Sequence, residues 1–256
     1  MTTPLLEIED LNVWFELPGG GELHAVRGIG FELVAGERFG LVGESGCGKT
    51  TAMLSIMGLL PPNASVAGEV RLDGENILAR GEETVSRHRW DDIAMALACS
   101  PKILLADEPT TALDVMVQAQ ILELLVSLAA DFDLALILVT HDLPVVAQVC
   151  DRAAVMYAGE VAESATIDAL FHTPKHPYTR LLFAATPDLH AGGERVASIP
   201  GAPPRLDQPI IGCPFQPRCD SAFQPCATVT PLLKQVGEHH VAACHLNDHV
   251  RAAQTA

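Results

Sequence analysis

The sequence predicts an α/β fold in which helices cover both faces of a mainly parallel sheet. Two observations support this prediction. Short apolar strands alternate with helical segments, and residues 134–139 form an uninterrupted apolar run. Such runs are typical of strands buried on both faces, and strands that alternate with helices favour a parallel sheet. The 256 residues are enough for one or two domains with a full core.

The predicted elements follow in a regular order along the chain. Alternating or continuous apolar residues predict strands at residues 5–15, 24–33 and 38–42. A helix is predicted over residues 50–60, where Pro61-Pro62 would stop it. The remaining predicted segments are a buried strand at 103–106, a helix with apolar residues at helical spacing over 117–128, and strands at 134–139 and 153–157.

Composition and charge exclude several classes of protein. With 48% hydrophobic and 19% charged residues, the chain is typical of a globular protein, and a disordered or collagen-like one is excluded. The formal net charge of −16 disfavours nonspecific binding to nucleic acid or anionic membranes, because the chain repels phosphates. The N-terminus has no basic patch, and apolar runs stay far below the roughly 18 residues of a membrane helix. We therefore expect a cytoplasmic protein whose cysteines are reduced thiols or metal ligands, not disulfides.

The strongest motif is a phosphate-binding loop between a predicted strand and a predicted helix. Residues 43–50 fit the pattern G-x-x-x-x-G-K-[ST]. Its glycines let backbone N–H groups turn towards phosphates, and the helix N-terminus adds its positive dipole. Lys49 would meet the β- and γ-phosphates, and the Thr50 hydroxyl would ligate Mg²⁺. The candidate nucleotide-binding residues in this segment are Gly43, Glu44, Ser45, Gly46, Cys47, Gly48, Lys49, Thr50 and Thr51.

Two other apolar strands end in polar side chains. Asp107 and Glu108 follow the strand 103–106, at the carboxyl end where ligands bind in open α/β sheets. We expect Asp107 to hold Mg²⁺ and Glu108 to polarise an attacking water. His141 ends the strand 134–139, from which it could contact the γ-phosphate. Each pattern alone also fits a buried strand that meets a polar loop, but together with the phosphate loop they favour one shared site.

With residues 111–114 (Thr-Ala-Leu-Asp), these motifs resemble the nucleotide-binding subunits of ABC transporters over nearly the whole chain. The resemblance implies a P-loop NTPase fold, ATP and Mg²⁺ as ligands, and catalysis of ATP hydrolysis by Glu108 with His141 as the γ-phosphate sensor. It also implies a dimer-interface loop at Ala112, Leu113 and Asp114. Phe15 matches the aromatic residue that stacks on adenine, while stacking by Trp14 and a core role for Phe15 remain alternatives.

Three C-terminal segments resemble the oligopeptide/dipeptide importer branch, whose members handle peptides and whose relatives handle nickel or glutathione. They are residues 176–180, 199–204 and 212–219. We predict an ABC-type nucleotide-binding domain at 1–190 and a small, loop-rich, cysteine-containing extension at 191–256. The resemblance implies an ATPase subunit that energises peptide import from the cytoplasmic face of the membrane. Its partners would be a homologous ATPase subunit in a heterodimer, integral membrane permeases and, indirectly, an extracytoplasmic peptide-binding protein, without nucleic acid.

Four cysteines in the predicted extension, Cys213, Cys219, Cys226 and Cys244, have the spacing C-x5-C-x6-C-x17-C. Zinc ribbons usually contain tight C-x2–4-C pairs, whereas four thiolates on a loop-rich segment suit a [4Fe–4S] cluster. The family resemblance favours the same cluster. Zinc remains an alternative because His239, His240, His245 and His249 are close in sequence, and so do unligated structural thiols.

Two motifs of the resembled family are absent from the sequence: a glutamine at the end of a sheet strand, and the signature Leu-Ser-Gly-Gly-Gln of a helical subdomain. Residues 89–95 resemble the approach to that glutamine, and residues 93–101 resemble the end of the helix after the signature, with residues 93–95 shared. We hypothesise an internal deletion of roughly 75 residues at this point. Residues 93–99 are then either a strand or a helix, and their composition favours the helix. A nucleotide-binding remnant without transport activity is the alternative function.

Overall fold

Two sheets and five α-helices organise the residues that the computed structural model describes, namely 3–78, 101–111, 113–185 and 199–248. The strands are β1 (Leu6–Glu16), β2 (Glu22–Leu33), β3 (Arg38–Val42), β4 (Ala64–Leu72), β5 (Glu75–Asn76), β6 (Ile103–Asp107), β7 (Ala135–Thr140), β8 (Arg152–Tyr157), β9 (Glu160–Thr166), β10 (Lys234–Gly237) and β11 (His240–Ala242). The helices are α1 (Lys49–Met57), α2 (Val115–Asp131), α3 (Leu143–Val149), α4 (Ile167–His172) and α5 (Pro177–Ala184).

The larger sheet confirms the predicted α/β fold. Its strand order is β10-β11-β9-β8-β3-β7-β6, in which β8, β3, β7 and β6 run parallel. The smaller sheet is antiparallel, with the order β2-β1-β4-β5. The parallel register pairs Val42 with Thr140 and Asp107 with Val139. The carboxyl ends of β3, β7 and β6 therefore lie side by side at one edge of the sheet.

Side chains from the two faces of the central strands pack into separate hydrophobic clusters. Leu41, Ile137 and Val139 join α1 and the antiparallel sheet in the first cluster. Leu136 and Leu138 join α2, α3 and Tyr178 in the second. Both faces of β7 are thus covered, which explains why its sequence is continuously apolar instead of alternating.

The ends and faces of two helices differ from the sequence prediction. Helix α1 ends at Met57, because Gly58 adopts a left-handed conformation (φ +61°) and its N–H bonds back to the last turn. The glycine therefore stops the helix before Pro61-Pro62 is reached. In α2, Leu122 and Ala129 are buried while Leu124 is 51% exposed, so the buried face is rotated relative to the predicted stripe.

The C-terminal extension is joined to the main sheet. Val241 of β11 pairs with Ser164 of β9, which adds the β10–β11 hairpin to the sheet edge. Phe215, 1% exposed, belongs to the second hydrophobic cluster. The extension therefore shares a core with the preceding residues. The predicted boundary at 190, the predicted helix at 93–99 and the hypothesised deletion junction lie outside the described residues.

Within the described ranges, no helix combines the length and the apolar character that a membrane span requires.

Candidate functional site

The loop between β3 and α1 has a conformation that only glycine accommodates at two positions. Gly43 and Gly48 have φ angles of +153° and +101°. A Cβ atom at Gly43 would lie 2.3 Å from the carbonyl oxygen of Met156, and one at Gly48 would lie 2.4 Å from that of Ala25. At Gly46, with φ +78°, a Cβ atom would meet nothing within 4 Å. Glycine is therefore needed at Gly43 and Gly48 for both the positive φ angle and the close approach of other backbone, and at Gly46 for the φ angle alone.

Lys49 is buried and holds the loop together. Its ammonium donates hydrogen bonds to the carbonyl oxygens of Gly43 (2.9 Å) and Glu44 (3.1 Å). Burial raises the pKa of the neighbouring Cys47 thiol, so this side chain packs as a neutral group. The ammonium is thus placed inside the loop, where phosphate oxygens could replace the two carbonyl acceptors.

The other side of the loop is open. Ser45, Gly46 and Thr50 are exposed and Thr51 is half-buried. Gly48 caps α1 without a side-chain acceptor, which leaves N–H groups of the first turn available to an anion. The open side therefore offers hydroxyls, backbone donors and the positive end of a helix to a phosphate chain.

Glu108 and His141 meet at the ends of β6 and β7. The Glu108 N–H donates to the carbonyl oxygen of Val139 (2.8 Å), and the residue adopts a left-handed φ of +45°, which is strained for a non-glycine residue. Its carboxylate accepts a hydrogen bond from the Thr111 hydroxyl (2.8 Å) and lies 3.2 Å from Nδ1 of His141. The structure therefore brings these two candidate site residues together.

These partners lower the pKa of Glu108, with the Thr111 hydrogen bond as the largest cause and His141 as the second. The charge of Lys49 contributes in the same direction, which connects the phosphate loop electrostatically to Glu108. Asp107, at the end of β6, is exposed. The arrangement presents a deprotonated carboxylate, an imidazole and an ammonium at one edge of the sheet, which are groups suited to activating water beside a phosphate.

The structure places the two candidate stacking residues differently. Phe15 is half-buried and packs against the first hydrophobic cluster. Trp14 stacks on His24, with ring centroids 4.6 Å apart and an interplanar angle of 19°. One face of the Trp14 ring is thus already covered. Adenine stacking by either residue stays a prediction.

The candidate dimer-interface loop precedes α2. Asp114 caps this helix by accepting the N–H groups of Met116 and Val117, both at 3.0 Å. Leu113 is 41% exposed, and Ala112 lies outside the described residues. A rigid cap with an exposed leucine beside it is compatible with the predicted interface, which stays a prediction.

The four cysteines of the extension lie close enough to influence one another. Burial, followed by the proximity of Cys226, Cys244 and Cys219, raises the pKa of Cys213 to about 11. Burial, with Cys219 and Cys226 nearby, also raises the pKa of Cys244 to about 11. The thiols are therefore near enough to affect one another's pKa values, and four thiols are the donor set of an iron–sulfur cluster.

The geometry of the described residues does not show a metal site. Among the described residues, no group of three or more histidine, cysteine, aspartate or glutamate side chains is placed to hold a metal ion. His240 contacts the buried Glu163 at 2.6 Å, and His245 contacts the Val229 carbonyl at 2.8 Å, so both histidines have other partners. His249 lies outside the described residues. The predicted iron–sulfur or zinc ligation is thus unsupported by the geometry.

Two residues that sequence reasoning missed hold the phosphate loop. Arg218 forms a two-pronged ion pair with the Glu44 carboxylate (2.8 and 2.9 Å), and the hydroxyl of Tyr178 accepts the Glu44 N–H at 3.0 Å. Tyr178 lies in segment 176–180 and Arg218 in segment 212–219, for which the sequence indicated a family resemblance but no role at the phosphate loop. Nothing in their spacing indicates a contact with residue 44.

Comparison with known proteins gives matches to two family models. The model for ABC transporters matches residues 26–92, and the model for the oligopeptide/dipeptide transporter C-terminal region matches residues 162–226. The first match ends beside residues 93–95, where the sequence suggested a deletion.

Curated relatives cover nearly the whole chain. The dipeptide transport ATP-binding protein DppD of Bacillus subtilis is 37% identical over 319 residues, covering 95% of each protein. The oligopeptide transport ATP-binding protein OppD of Escherichia coli is 36% identical over 301 residues, covering 89% of each. Both alignments are longer than the 256 residues of the chain, so the relatives contain residues without a counterpart in it.

Solved structures share the fold. A dimeric post-hydrolysis state of the ATP-binding cassette MJ0796, bound to ADP and Pi, superposes with a TM-score of 0.56 at 20% identity, covering 63% of this chain and 98% of that one. The cbiO1 protein of Clostridium perfringens gives a TM-score of 0.55 at 21% identity, covering 66% of this chain and 91% of that one. At these identities the likeness concerns the fold alone.

Proposed function

Because the chain belongs to the family of ATP-binding subunits of oligopeptide and dipeptide ABC transporters, we propose that it binds and hydrolyses ATP to drive peptide import. One observation carries the proposal for the chemistry. The adjacent carboxyl ends of β3, β7 and β6 bring the phosphate loop, His141 and Glu108 to one edge of the sheet. This is the edge where ligands bind in open α/β sheets.

The proposed mechanism divides the work among these residues. Lys49 and the first turn of α1 hold the phosphates, and the charge of Lys49 offsets the charge that develops on the transferred group. Thr50 and Asp107 are the residues that would hold Mg²⁺, which neutralises phosphate oxygens when it is bound. Glu108, kept deprotonated by its lowered pKa, accepts a proton from the attacking water. His141 orients the Glu108 carboxylate and contacts the γ-phosphate.

The partners follow from the family. We propose a heterodimer with a homologous ATPase subunit, docked on integral membrane permeases at the cytoplasmic face, with a peptide-binding protein on the other side. No nucleic acid is involved, in keeping with the net charge of −16. A chain without the signature sequence could complete its own nucleotide site only with the signature of its partner. The heterodimer would then have one complete site.

Steady-state ATP hydrolysis tests the proposal, with the purified chain alone and with the homologous ATPase subunit of the same organism. Lys49→Ala should abolish ATP binding, whereas Glu108→Gln should keep binding and lose turnover, because only proton acceptance is removed. Glu123→Gln, the same change at an exposed position on α2, is the matched control and should retain full turnover. Turnover that persists in Glu108→Gln would contradict the assigned base.

The absent signature favours the second candidate function, a remnant of a nucleotide-binding subunit that binds ATP weakly or not at all and drives no transport. Absence of ATP binding at millimolar nucleotide would support the remnant and refute the ATPase. Binding without turnover, even in the presence of the homologous subunit, would limit the function to nucleotide binding.

The metal centre of the extension is also a proposal. Four neighbouring thiols supply the right donor set for a [4Fe–4S] cluster at Cys213, Cys219, Cys226 and Cys244, and zinc is the alternative. Anaerobic purification followed by visible spectroscopy and metal analysis separates the two. A brown protein with about four irons per chain supports the cluster, whereas stoichiometric zinc supports the alternative. A colourless, metal-free protein would refute both.

A further inference from the structure

Glu44 in the phosphate loop is held from two directions by the C-terminal part of the chain. The guanidinium of Arg218 donates to both carboxylate oxygens, at 2.8 and 2.9 Å, across a sequence separation of 174 residues. The Arg218 side chain is 5% exposed and the Glu44 side chain 24% exposed. Two parallel hydrogen bonds between planar groups fix the orientation of both side chains as well as pairing their charges.

The position of Arg218 is itself determined by its surroundings. Its Nε donates to the carbonyl oxygen of Pro200 at 2.8 Å, and its Nη1 contacts the Tyr157 hydroxyl at 3.2 Å. The guanidinium also lies over the rings of Tyr157 and Phe215, 5.7 and 5.9 Å from their centroids. A cation held by these three neighbours presents a preorganised fork to Glu44.

Tyr178 restrains the backbone of the same residue. Its hydroxyl accepts the Glu44 N–H, and its ring is completely buried. The turn before it is fixed by Glu163, whose buried carboxylate accepts the His176 N–H at 2.9 Å and contacts His240 of β11 at 2.6 Å. The β10–β11 hairpin, the turn and the phosphate loop therefore form one connected set of contacts.

The charge of Glu44 gives these contacts a consequence for ligand binding. A carboxylate in a phosphate-binding loop opposes the approach of a polyphosphate, and the effect grows as the site becomes drier. Pairing with Arg218 neutralises this charge and turns the carboxylate to the extension. Without the arginine, the loop would carry an unpaired negative charge and lose one of its two anchors.

We propose that Arg218 of the C-terminal extension and Tyr178 of α5 are positioning residues for the nucleotide, which together set the affinity of the phosphate loop for nucleoside di- and triphosphates by neutralising and orienting Glu44. The proposal rests on the proposed function only in that the loop binds nucleotide. It assigns to the extension a role at the ATP site that is independent of any metal it holds.

The test uses the full-length chain and two measurements. Binding of fluorescent ATP and ADP analogues gives the affinity, and hydrogen exchange of the loop amides in the nucleotide-free chain gives the order of the loop. Arg218→Gln should lower the affinity for both nucleotides about tenfold, the size of effect expected for a charged, two-pronged pair. It should also speed exchange at residues 43–48. Arg218→Lys keeps the charge without the forked geometry, so its nucleotide affinity and loop exchange should lie between those of Arg218→Gln and the wild type.

A double-mutant cycle separates charge neutralisation from general damage to the fold. Arg218→Gln combined with Glu44→Gln should bind nucleotide more tightly than Arg218→Gln alone, because the unpaired carboxylate is gone. Arg180→Gln is the matched control. It breaks the exposed Arg180–Asp220 pair (2.8 Å), which also ties α5 to the extension but does not touch the loop.

Each outcome decides a different claim. Equal nucleotide affinities and equal loop exchange in Arg218→Gln and Arg180→Gln would overturn the inference. A lower nucleotide affinity in the Arg218→Gln/Glu44→Gln double variant than in Arg218→Gln alone would overturn it as well. If the wild type bound no nucleotide, the proposed function would fail. The exchange comparison would then still decide whether Arg218 positions the loop.

Discussion

Replacing Gly48 by alanine should destabilise the chain far more than the same replacement at Gly46, two residues earlier in the phosphate loop. Both glycines have a left-handed backbone, with φ of +101° at Gly48 and +78° at Gly46. Holding an alanine in that region costs about 1–2 kcal/mol at either position. The two substitutions share this cost and differ only in the space that the new methyl group meets.

The surroundings of the two positions give the size of the difference. At Gly48 the new Cβ would lie 2.4 Å from the carbonyl oxygen of Ala25, which is backbone of β2 and cannot turn away like a side chain. Overpacking of this kind costs about 1–3 kcal/mol. At Gly46 a Cβ would meet nothing within 4 Å. We therefore expect a loss in unfolding free energy of about 2–5 kcal/mol for Gly48→Ala and about 1–2 kcal/mol for Gly46→Ala.

Urea unfolding of the two full-length variants, followed by circular dichroism, measures this difference. Transitions of equal steepness with a lower midpoint for Gly48→Ala would mean that the native state alone has lost stability. Equal midpoints for the two variants would refute the reasoning, because they would show that β2 yields to the new methyl group at no cost. A greater loss in Gly46→Ala would refute it as well.

Three further outcomes follow from the buried and titrating groups. Tyr178→Phe leaves the Glu44 N–H without its acceptor, so urea unfolding should show a loss of about 1–3 kcal/mol, and an unchanged midpoint would contradict that bond. Burial lowers the pKa of His176 to about 4, so the unfolded chain takes up its proton first and up to about 3 kcal/mol of stability is lost as the pH falls from about 6.5 to 4. His176→Asn, which keeps a helix-capping acceptor, should lack this part of the pH dependence, and identical slopes would rule out the assignment. Thr111→Val should raise the pKa of Glu108, measured by carbon-13 NMR titration of its carboxyl, because the Thr111 hydroxyl is the main cause of its low value. The stability contributed by charged Glu108 is present above its unfolded pKa and is lost as the pH falls through its lower folded pKa. An unchanged Glu108 pKa in Thr111→Val would refute the hydrogen bond from Thr111 as the main cause.

Local patterns determined most of the secondary structure that the sequence predicted. The strand 38–42 is observed with the predicted bounds, because an apolar run leads directly into a glycine loop. The strand predicted at 134–139 is shifted by one residue, to Ala135–Thr140. The predicted end of α1 is wrong, because the left-handed conformation of Gly58 ends the helix before the prolines are reached. Features that depend on one backbone angle are the hardest to infer from composition.

The candidate site likewise contains residues that local sequence patterns predict and a long-range contact that they do not. The phosphate loop is contiguous in sequence, and Glu108 and His141 each end a buried strand, so their proximity follows from the parallel sheet. The contact between Arg218 and Glu44 joins residues 174 positions apart. Neither residue belongs to a periodic pattern that would reveal the other. Sequence spacing carries no information on such pairs, which arise from how the extension folds back onto the sheet.

The supports of the phosphate loop bear on the alternative between an ATPase subunit and a remnant. Its glycines pack on backbone oxygens of Ala25 and Met156, Glu44 is held by Tyr178 and Arg218, and the residues facing the loop end two neighbouring strands. Within the part of the chain that the structure describes, these contacts lie within residues 3–78 or join them to residues 101–248. Loss of a helical subdomain near residues 93–95 would therefore leave the supports of the chain's own phosphate site in place. What such a loss removes is the segment that would complete a partner's site. We then expect the chain to bind nucleotide without being able to complete a second site. Under the proposed heterodimer, we expect ATP turnover only when an intact homologous subunit is present.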